Sequence, residues 1–437
     1  MPMNARQAAL QALQRCRRDG AWAGASLDSM IRKAGLSEKD AALAAKLCLG
    51  VLQNSTLLDH VIACYCSTKP EPKVRDILRL GAYQLLFLDR IPARAAVNET
   101  VALCRSAGCA RASGLVNAVL RRVSESDGVI PEIPGKGTAA YLSVRYSHPL
   151  WLCETIVERR GYDFAEAFLR ANNTEAPLSL QINTLKVTKK DYLRALQRAE
   201  IPYTEPQEPA DCVLLDGGQA RALPGYEEGL FYVQDPAARL AVEIAAPEPG
   251  MRVLDACASP GGKSFAAAIL MHNQGSILSC DIHEKKLALI RSGAERLGIG
   301  IIETRAADAR IGDEALRARF DLVIADVPCS GLGVIAKKPE IRNKTPESIA
   351  PLPAIQRAIL DNLAKNVKPG GVLLYSTCTI LREENEDLVR AFLADHPEYG
   401  TEAFSLYGRD VSEGMYTFWP QIDGSDGFFA AKLRRTR

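Results

Sequence analysis

Hydrophobic positions along this 437-residue chain follow three successive patterns, and each predicts a different kind of element. Up to about residue 125 they recur at intervals of three and four. That spacing predicts helices at 4–18, 38–54, 56–66, 71–88, 94–106 and 111–124. In the run at 71–88, Ile77, Leu78, Leu80 and Tyr83 make an apolar stripe backed by Arg75, Asp76 and Arg79, with Arg90 just beyond. Ser37, with Asp40 three residues on, marks a helix start. Gly128, Pro131, Pro134, Gly135 and Gly137 then interrupt the pattern, so 126–140 reads as a linker.

A second pattern covers 141–240, with helices at 150–171 and 188–199 and short strand-like runs at 178–183, 212–215 and 229–233. It predicts a small α+β module. From Pro249 onward, strands alternate with helices. Strands are expected at 251–255, 277–281, 300–304, 321–325 and 371–375, and helices at 262–271, 284–295, 352–366 and 384–394. Such alternation predicts an α/β, doubly wound, mainly parallel sheet. The expected organisation is an all-helical domain over 1–140, the α+β module over 141–240 and a Rossmann-like core over 241–437. A chain of this length divides into domains because a single core stops growing at a few hundred residues.

Composition narrows the class. At 47% apolar and 24% charged the chain is that of a folded protein. The start has no secretory apolar region, and no run reaches the roughly 18 apolar residues of a membrane span. The twelve cysteines are too dispersed for a disulfide framework. Cys48, Cys104, Cys153 and Cys280 sit in apolar runs as expected core thiols. Cys64 and Cys66 are close but lack a matching His/Cys group, so no metal site is expected.

The net charge of +2 hides an asymmetry. Residues 1–145 hold 20 Lys/Arg against 12 Asp/Glu, a difference of +8, which leaves −6 for the remainder. A basic helical unit is suited to a polyanion, although a solvated basic surface gives the same count.

Candidate chemistry gathers at the ends of the predicted core strands, where open α/β sheets bind ligands. Asp255, Asp281, Asp308, Asp326 and Cys378 all lie at or shortly beyond such ends. Asp255 opens the loop Ala256, Cys257, Ala258, Ser259, Pro260, Gly261 and Gly262, followed by Lys263. The glycines allow close backbone approach to a ligand. Neither G-x-G-x-x-G nor G-x-x-x-x-G-K-[ST] is present, and Pro260 removes an N–H, so pyrophosphate readings weaken. Asp281 is placed to accept from a ribose diol, and Asp308 from an adenine amine. Three acids suit a nucleoside with a positive centre, such as S-adenosylmethionine.

Two cysteines, in Asp326-Val327-Pro328-Cys329 and Ser376-Thr377-Cys378, follow consecutive strand-like runs. A thiolate that adds at C6 of a cytosine pushes electron density to C5, which can then take a methyl group. An acid near ring N3 helps the addition, and Asp326 is placed for it. A second thiol can assist expulsion of the first. The residues alone do not order the two thiols, and two buried structural cysteines remain an alternative.

Asp255–Lys263, Asp326–Gly331 and Ser376–Thr379 resemble the signatures of RNA cytosine-5 methyltransferases. Gln234–Ala238, Glu383–Glu386 and Asp426–Ala430 match as well, so the resemblance covers about 230–435. It implies Cys378 as nucleophile, Cys329 as promoter of release, and Asp326 and Lys263 as further catalytic residues. It also gives the cofactor S-adenosylmethionine to Asp255 through Lys263, Asp281, Asp308 and Asp326. The helical unit resembles the antitermination-factor-like RNA-binding domain of bacterial members that methylate small-subunit ribosomal RNA. This implies a cytoplasmic enzyme acting on RNA not fully assembled into subunits. Where relatives carry an Arg-rich segment, this chain has Ala336-Lys337-Lys338-Pro339. Alternatives are a tRNA or DNA substrate, or a non-catalytic RNA-binding assembly factor.

Overall fold

The computed structural model describes residues 3–19 and 21–436. Met1 and Pro2, part of the start read as lacking a leader, lie outside the described residues. Contacts divide the chain into two units, Met1–Thr174 with Ile335–Thr345, and Glu175–Val334 with Pro346–Arg437.

The first unit is helical: α1 (Ala5–Asp19), α2 (Ala23–Ala34), α3 (Glu38–Gln53), α4 (Ser55–Tyr65), α5 (Pro72–Phe87), α6 (Ala93–Ser106), α7 (Ser113–Glu125), α8 (Ala139–Tyr146), α9 (Leu150–Arg160) and α10 (Tyr162–Ala171). The expected Ser37 cap is present: its hydroxyl accepts from the Asp40 N–H at 3.2 Å and donates to the Asp40 carboxylate at 2.8 Å. Leu47, Ile77, Leu78, Leu80 and Leu120 are fully buried in the core. Gly161, at φ 88°, breaks the single helix expected over 150–171 into two. Helix α2 has no counterpart among the expected elements. Its N-terminal Trp22 offers no side-chain cap, and the Ala23 N–H is instead satisfied by Glu340 Oε1 at 2.9 Å. That partner is 317 residues away in sequence.

Residues Ile335–Thr345 therefore belong to the helical unit by packing. Lys338 Nζ lies 5.1 Å from the Trp22 ring centroid, and Trp151 donates to the Lys344 carbonyl at 3.1 Å. Arg342 is buried, and its guanidinium donates to the Gln53 and Asn172 carbonyls and to Asn173 Oδ1. The lysines that replace an Arg-rich segment thus sit beside a single deeply placed arginine.

The second unit begins with an antiparallel sheet of order β2-β1-β3, made by β1 (Leu178–Ile182), β2 (Cys212–Leu215) and β3 (Phe231–Val233), with α11 (Lys189–Arg198) packed on it. Leu180, Ile182, Tyr192, Leu196, Val213 and Phe231 form its core. After α12 (Pro236–Ala245) the chain alternates β4 (Arg252–Asp255), α13 (Gly262–Leu270), β5 (Ser276–Asp281), α14 (Glu284–Leu297), β6 (Ile302–Ala306) and β7 (Phe320–Asp326). Then come α15 (Pro346–Ile349), α16 (Leu352–Ala364), β8 (Val367–Thr377) and α17 (Glu386–Asp395). The last elements are β9 (Tyr399–Thr401), β10 (Phe404–Leu406), β11 (Arg409–Val411), β12 (Met415–Phe418), α18 (Pro420–Asp423) and β13 (Phe428–Arg435).

The eight-stranded sheet has the order β12-β13-β8-β7-β4-β5-β6, with β9 on β13. Strands β4 to β8 pair in parallel, while β13 enters antiparallel beside β8. The sheet is therefore mixed, because the C-terminal strands close its far side. The chain runs from β4 outward to β6 and then returns to β7 on the other flank. The order reverses between β4 and β7, and a crevice opens outside their carboxyl ends.

Among the described residues no single helix is long and apolar enough to cross a membrane. No group of three or more described His, Cys, Asp or Glu residues is arranged to hold a metal.

Replacing Arg342 with Ala leaves three carbonyl acceptors without their donor. We expect a loss of about 2–4 kcal/mol in the stability of the helical unit, read as an earlier transition in denaturant-monitored helical circular dichroism. An unchanged midpoint would show that water satisfies those carbonyls.

Candidate active site

Strand β4 delivers Asp255 to the crevice with no solvent exposure. Its Oδ2 accepts from Ser264 Oγ at 2.7 Å, and that hydroxyl also lies 2.7 Å from Ser279 Oγ on β5. Oδ1 is buried without a hydrogen-bond partner. Burial is the largest influence on this carboxyl; against the lowering effects of Ser264 and Lys263 it pushes the pKa up to about 7.

The following loop turns tightly, with the Gly261 N–H donating to the Ala258 carbonyl at 2.6 Å and Gly261 at φ 114°. A Cβ there would meet the Phe265 ring at 2.5 Å. A side chain at this position would collide with the packing of α13. The loop is tied to β5 by the Ala258 N–H on the Cys280 carbonyl at 2.8 Å. Cys257 is half-buried, and its thiol is pushed up by burial and by the surrounding aspartates.

At the end of β5, Asp281 Oδ1 accepts from the His283 N–H at 2.8 Å. Both carboxylate oxygens of Asp308 are engaged by Arg310 at 2.6–3.1 Å, which holds this acid below its ordinary value. Both oxygens of this rim acid are thus already occupied by a neighbour two positions on. Ala256, Cys280, Ala307 and Asp308 line a cavity of about 350 Å³ on this flank, within the size range of small-ligand sites.

Helix α13 sends Lys263 back across the crevice. Its Nζ pairs with Asp326 Oδ2 at 2.7 Å and lies 4.9 Å from the centroid of the Phe428 ring. The other Asp326 oxygen accepts from Ser376 Oγ at 2.9 Å. Parallel register places Asp326 opposite Ser376, so the loops after β7 and β8 leave the sheet together. Cys329 and Cys378 meet there with their sulfurs 3.2 Å apart. The hydrogen bond with Cys378 is the largest influence on Cys329 and, with burial and the neighbouring Glu384 and Asp326, holds its thiol well above the ordinary value. Either sulfur can be the donor in this contact.

Several contacts fix this juncture. The Val327 N–H donates to the Ser376 carbonyl at 3.1 Å, the Gly333 N–H to the Cys378 carbonyl at 3.0 Å, and Ser330 Oγ lies 2.6 Å from Thr379 Oγ1. The three outlying sequence signatures also find their places. Asp235 caps α12 through the Ala237 N–H at 3.0 Å and accepts from the Asp426 N–H at 3.1 Å. Gly427 donates to the Gly333 carbonyl at 2.8 Å, and Glu384 accepts from the Ser330 N–H at 2.9 Å. Sequence reasoning gave no role to Ser264, Ser279, Ser376 or Phe428. Each is legible only once strand register and the C-terminal strands are known.

The residues fit S-adenosylmethionine. The orphaned Asp255 Oδ1 offers an acceptor at the start of the loop, and the cavity of about 350 Å³ lined by Ala256, Cys280 and Asp308 offers space.

The raised Asp255 pKa carries a signed consequence. An acid whose folded-state value exceeds its unfolded value contributes stability below about pH 4, and this is lost as pH rises through about 7. Asp255→Asn removes that dependence. Between pH 5 and pH 8 the variant should gain on the order of 2–4 kcal/mol relative to the parent in ligand-free denaturation curves. A pH-independent difference would contradict the buried placement.

Comparison with known proteins accords with this geometry. The 16S rRNA methyltransferase RsmB/F model matches residues 242–434, a NusB family model matches 3–125, and the RsmF/B-like ferredoxin-like domain matches 148–220. The chain is 34% identical over 441 residues to the probable ribosomal RNA small subunit methyltransferase B of Bacillus subtilis, covering 98% of each. It is 33% identical over 442 residues to ribosomal RNA small subunit methyltransferase B of Klebsiella pneumoniae, covering 100% of this chain and 99% of the other. The solved structure of PH0851 superposes with a TM-score of 0.83 at 26% identity over 99% of both chains. A fold likeness extends to NSun6 from Pyrococcus horikoshii with SFG, at a TM-score of 0.56 and 20% identity, covering 65% of this chain and 97% of that one. The chain belongs to the 16S rRNA methyltransferase RsmB/F family and is an S-adenosylmethionine-dependent methyltransferase of ribosomal RNA.

Proposed function

We propose that this enzyme methylates C5 of a cytosine in small-subunit ribosomal RNA through a covalent bond between Cys378 and C6 of the base. The observation that supports the reading is the pair of sulfurs 3.2 Å apart, at the edge that also carries the Asp326–Lys263 pair. A thiolate at Cys378 is the nucleophile such an addition needs, and a neighbouring thiol that donates to it favours that form.

Cys378 adds to C6 and breaks the C5–C6 double bond. Asp326, held by Lys263 and Ser376, would lie beside N3, where a proton shared between its carboxyl and the ring offsets the negative charge that the addition develops. S-adenosylmethionine, when bound at Asp255, the Ala256–Gly262 loop, Lys263, Asp281, Asp308 and Asp326, supplies the sulfonium methyl that the electron-rich C5 takes up. The C5 proton must then leave before Cys378 can be expelled, and Cys329 moves a proton at that step. A cytosine flipped from unpaired RNA reaches the crevice at least cost.

We assign the basic helices of 1–140 to RNA binding, 141–240 to a small supporting module and 241–437 to catalysis. The substrate we favour is cytoplasmic ribosomal RNA not yet fully assembled into subunits. Incubation with S-adenosylmethionine and ribosomal RNA lacking the modification should yield 5-methylcytosine; a methyl group on another atom would refute the reading.

The roles of the thiols separate in variants. Cys378→Ala should abolish the RNA adduct and lower turnover at least about a thousandfold. Cys329→Ala should still attack, lose about a hundredfold in turnover, and accumulate a denaturation-resistant protein–RNA complex visible on gels. Exchanged phenotypes would reverse the assignment.

A further inference from the structure

The run Glu383–Glu386 matches the family pattern, yet the chemistry above gives it no task. We propose that Glu384, acting with Gln356, is a positioning residue for the release step, clamping the Cys329 loop against Cys378. The proposal rests on the covalent reading of the thiol pair.

Cys329 is bracketed from both sides. Glu384 Oε2 accepts from the Ser330 N–H at 2.9 Å, immediately after the cysteine. The same oxygen accepts from Gln356 Nε2 at 2.7 Å, and that amide also donates to the Pro328 carbonyl at 3.0 Å, immediately before it. Both peptide groups flanking Cys329 are thereby fixed by two side chains, Glu384 at 1% and Gln356 at 0% exposure. Pro328 has no N–H to contribute, so the Ser330 N–H is the donor nearest the cysteine on its C-terminal side.

The clamp is rooted in the other cysteine's strand. Tyr375, three residues before Cys378, donates its hydroxyl to the Glu384 carbonyl at 2.6 Å. The next residue, Asn385, accepts from Thr377 Oγ1 at 2.6 Å and donates to the Thr379 carbonyl at 3.0 Å, enclosing Cys378 in the same way. Neighbouring residues of one turn thus hold the two cysteines, Glu384 the first and Asn385 the second. Their separation is set by a single peptide unit of about 3.8 Å.

A carboxyl is a costly choice for a purely structural acceptor. The other oxygen of Glu384, Oε1, is buried without a hydrogen-bond partner, and a side-chain amide could accept the same N–H. What the acid adds is a field at the neighbouring thiol. Glu384 is among the groups that hold Cys329 above its ordinary value and so keep a proton there.

The test compares Glu384→Ala, Glu384→Gln and Gln356→Met with the parent and with Cys329→Ala, using 16S ribosomal RNA transcript and S-adenosylmethionine. Single-turnover adduct formation, steady-state adduct and kcat against KM are followed, with S-adenosylmethionine binding as the check on folding. Glu384→Ala should form the adduct within about twofold of the parental rate, accumulate it, and lose about tenfold or more in kcat with little change in KM for RNA. Glu384→Gln, which retains an acceptor but loses the charge, should recover only part of the turnover, and Gln356→Met should accumulate adduct to a smaller extent. Normal turnover by folded Glu384→Ala, or loss of adduct formation as in Cys378→Ala, would overturn the proposal. If Glu384→Ala fails to bind S-adenosylmethionine, Gln356→Met decides: adduct accumulation supports the clamp and its absence overturns it. A Cys329→Ala protein that traps no adduct would instead bring down the covalent reading itself.

Discussion

The site depends on the in-register parallel pairing of β7 with β8, which sets Asp326 opposite Ser376. Parallel strands release their chains at the same sheet edge, so the loops that follow must share one space. Cys329 comes three residues after Asp326 and Cys378 two after Ser376, and those short distances bring the sulfurs together. A slip of one residue in that register would turn the side chains of β8 to opposite faces and dismantle the pair. The buried residues that enforce the register, Val323, Leu373 and Tyr375, are therefore as necessary to the site as the thiols.

The same edge concentrates charge that water would otherwise solvate. Lys263 is almost wholly enclosed, and its pairing with Asp326 offsets a desolvation that an isolated ammonium could not bear. Asp255 has no comparable cation directly bonded to it, and its carboxyl is pushed upward accordingly. The two acids end adjacent strands yet experience opposite surroundings, one bridged to a lysine and one sealed with an orphaned oxygen. Apolar packing of α13 through Phe265, Ala266 and Ala267 holds this arrangement rigid. A flexible helix would let Lys263 leave for solvent and remove the compensation.

Much of this was legible in the sequence. The alternation from 251 to 375 gave the parallel strands in order, and the two cysteines were placed at one edge because both follow apolar strand runs. What escaped local pattern reading depends on distant partners. Helix α2 begins where Glu340 supplies its cap, and no nearby residue signals it. The strands from 399 to 418 are three or four residues long, too short for a period of two to declare itself. Strand β13 is longer, but its unbroken apolar run, Phe428–Ala431, is buried on both faces, and such a run does not reveal its direction. Asp308 reaches the rim as its place after β6 suggests, but no local pattern signals that Arg310, two positions on, occupies its carboxylate.

The C-terminal strand explains how signatures scattered over about 200 residues of sequence meet at one edge. Gly333 follows the Cys329 loop and Gly427 precedes β13, and their backbones approach so closely that a Cβ on Gly333 would overlap the Gly427 carbonyl. Through that contact the Gly427 N–H reaches the Gly333 carbonyl, while the Gly333 N–H reaches the Cys378 carbonyl. A continuous backbone path thus runs from β13 through the Cys329 loop to the Cys378 loop. One residue beyond Gly427, Phe428 presents its ring to Lys263, so the strand that supports the thiols also borders the cation paired with Asp326. Asp235 then ties the start of the same segment to α12 through the Asp426 N–H. Side chains can adjust to a changed neighbour, but a chain of backbone bonds between glycines cannot, and it is this contact that makes the last strand part of the catalytic edge rather than a cover for the sheet.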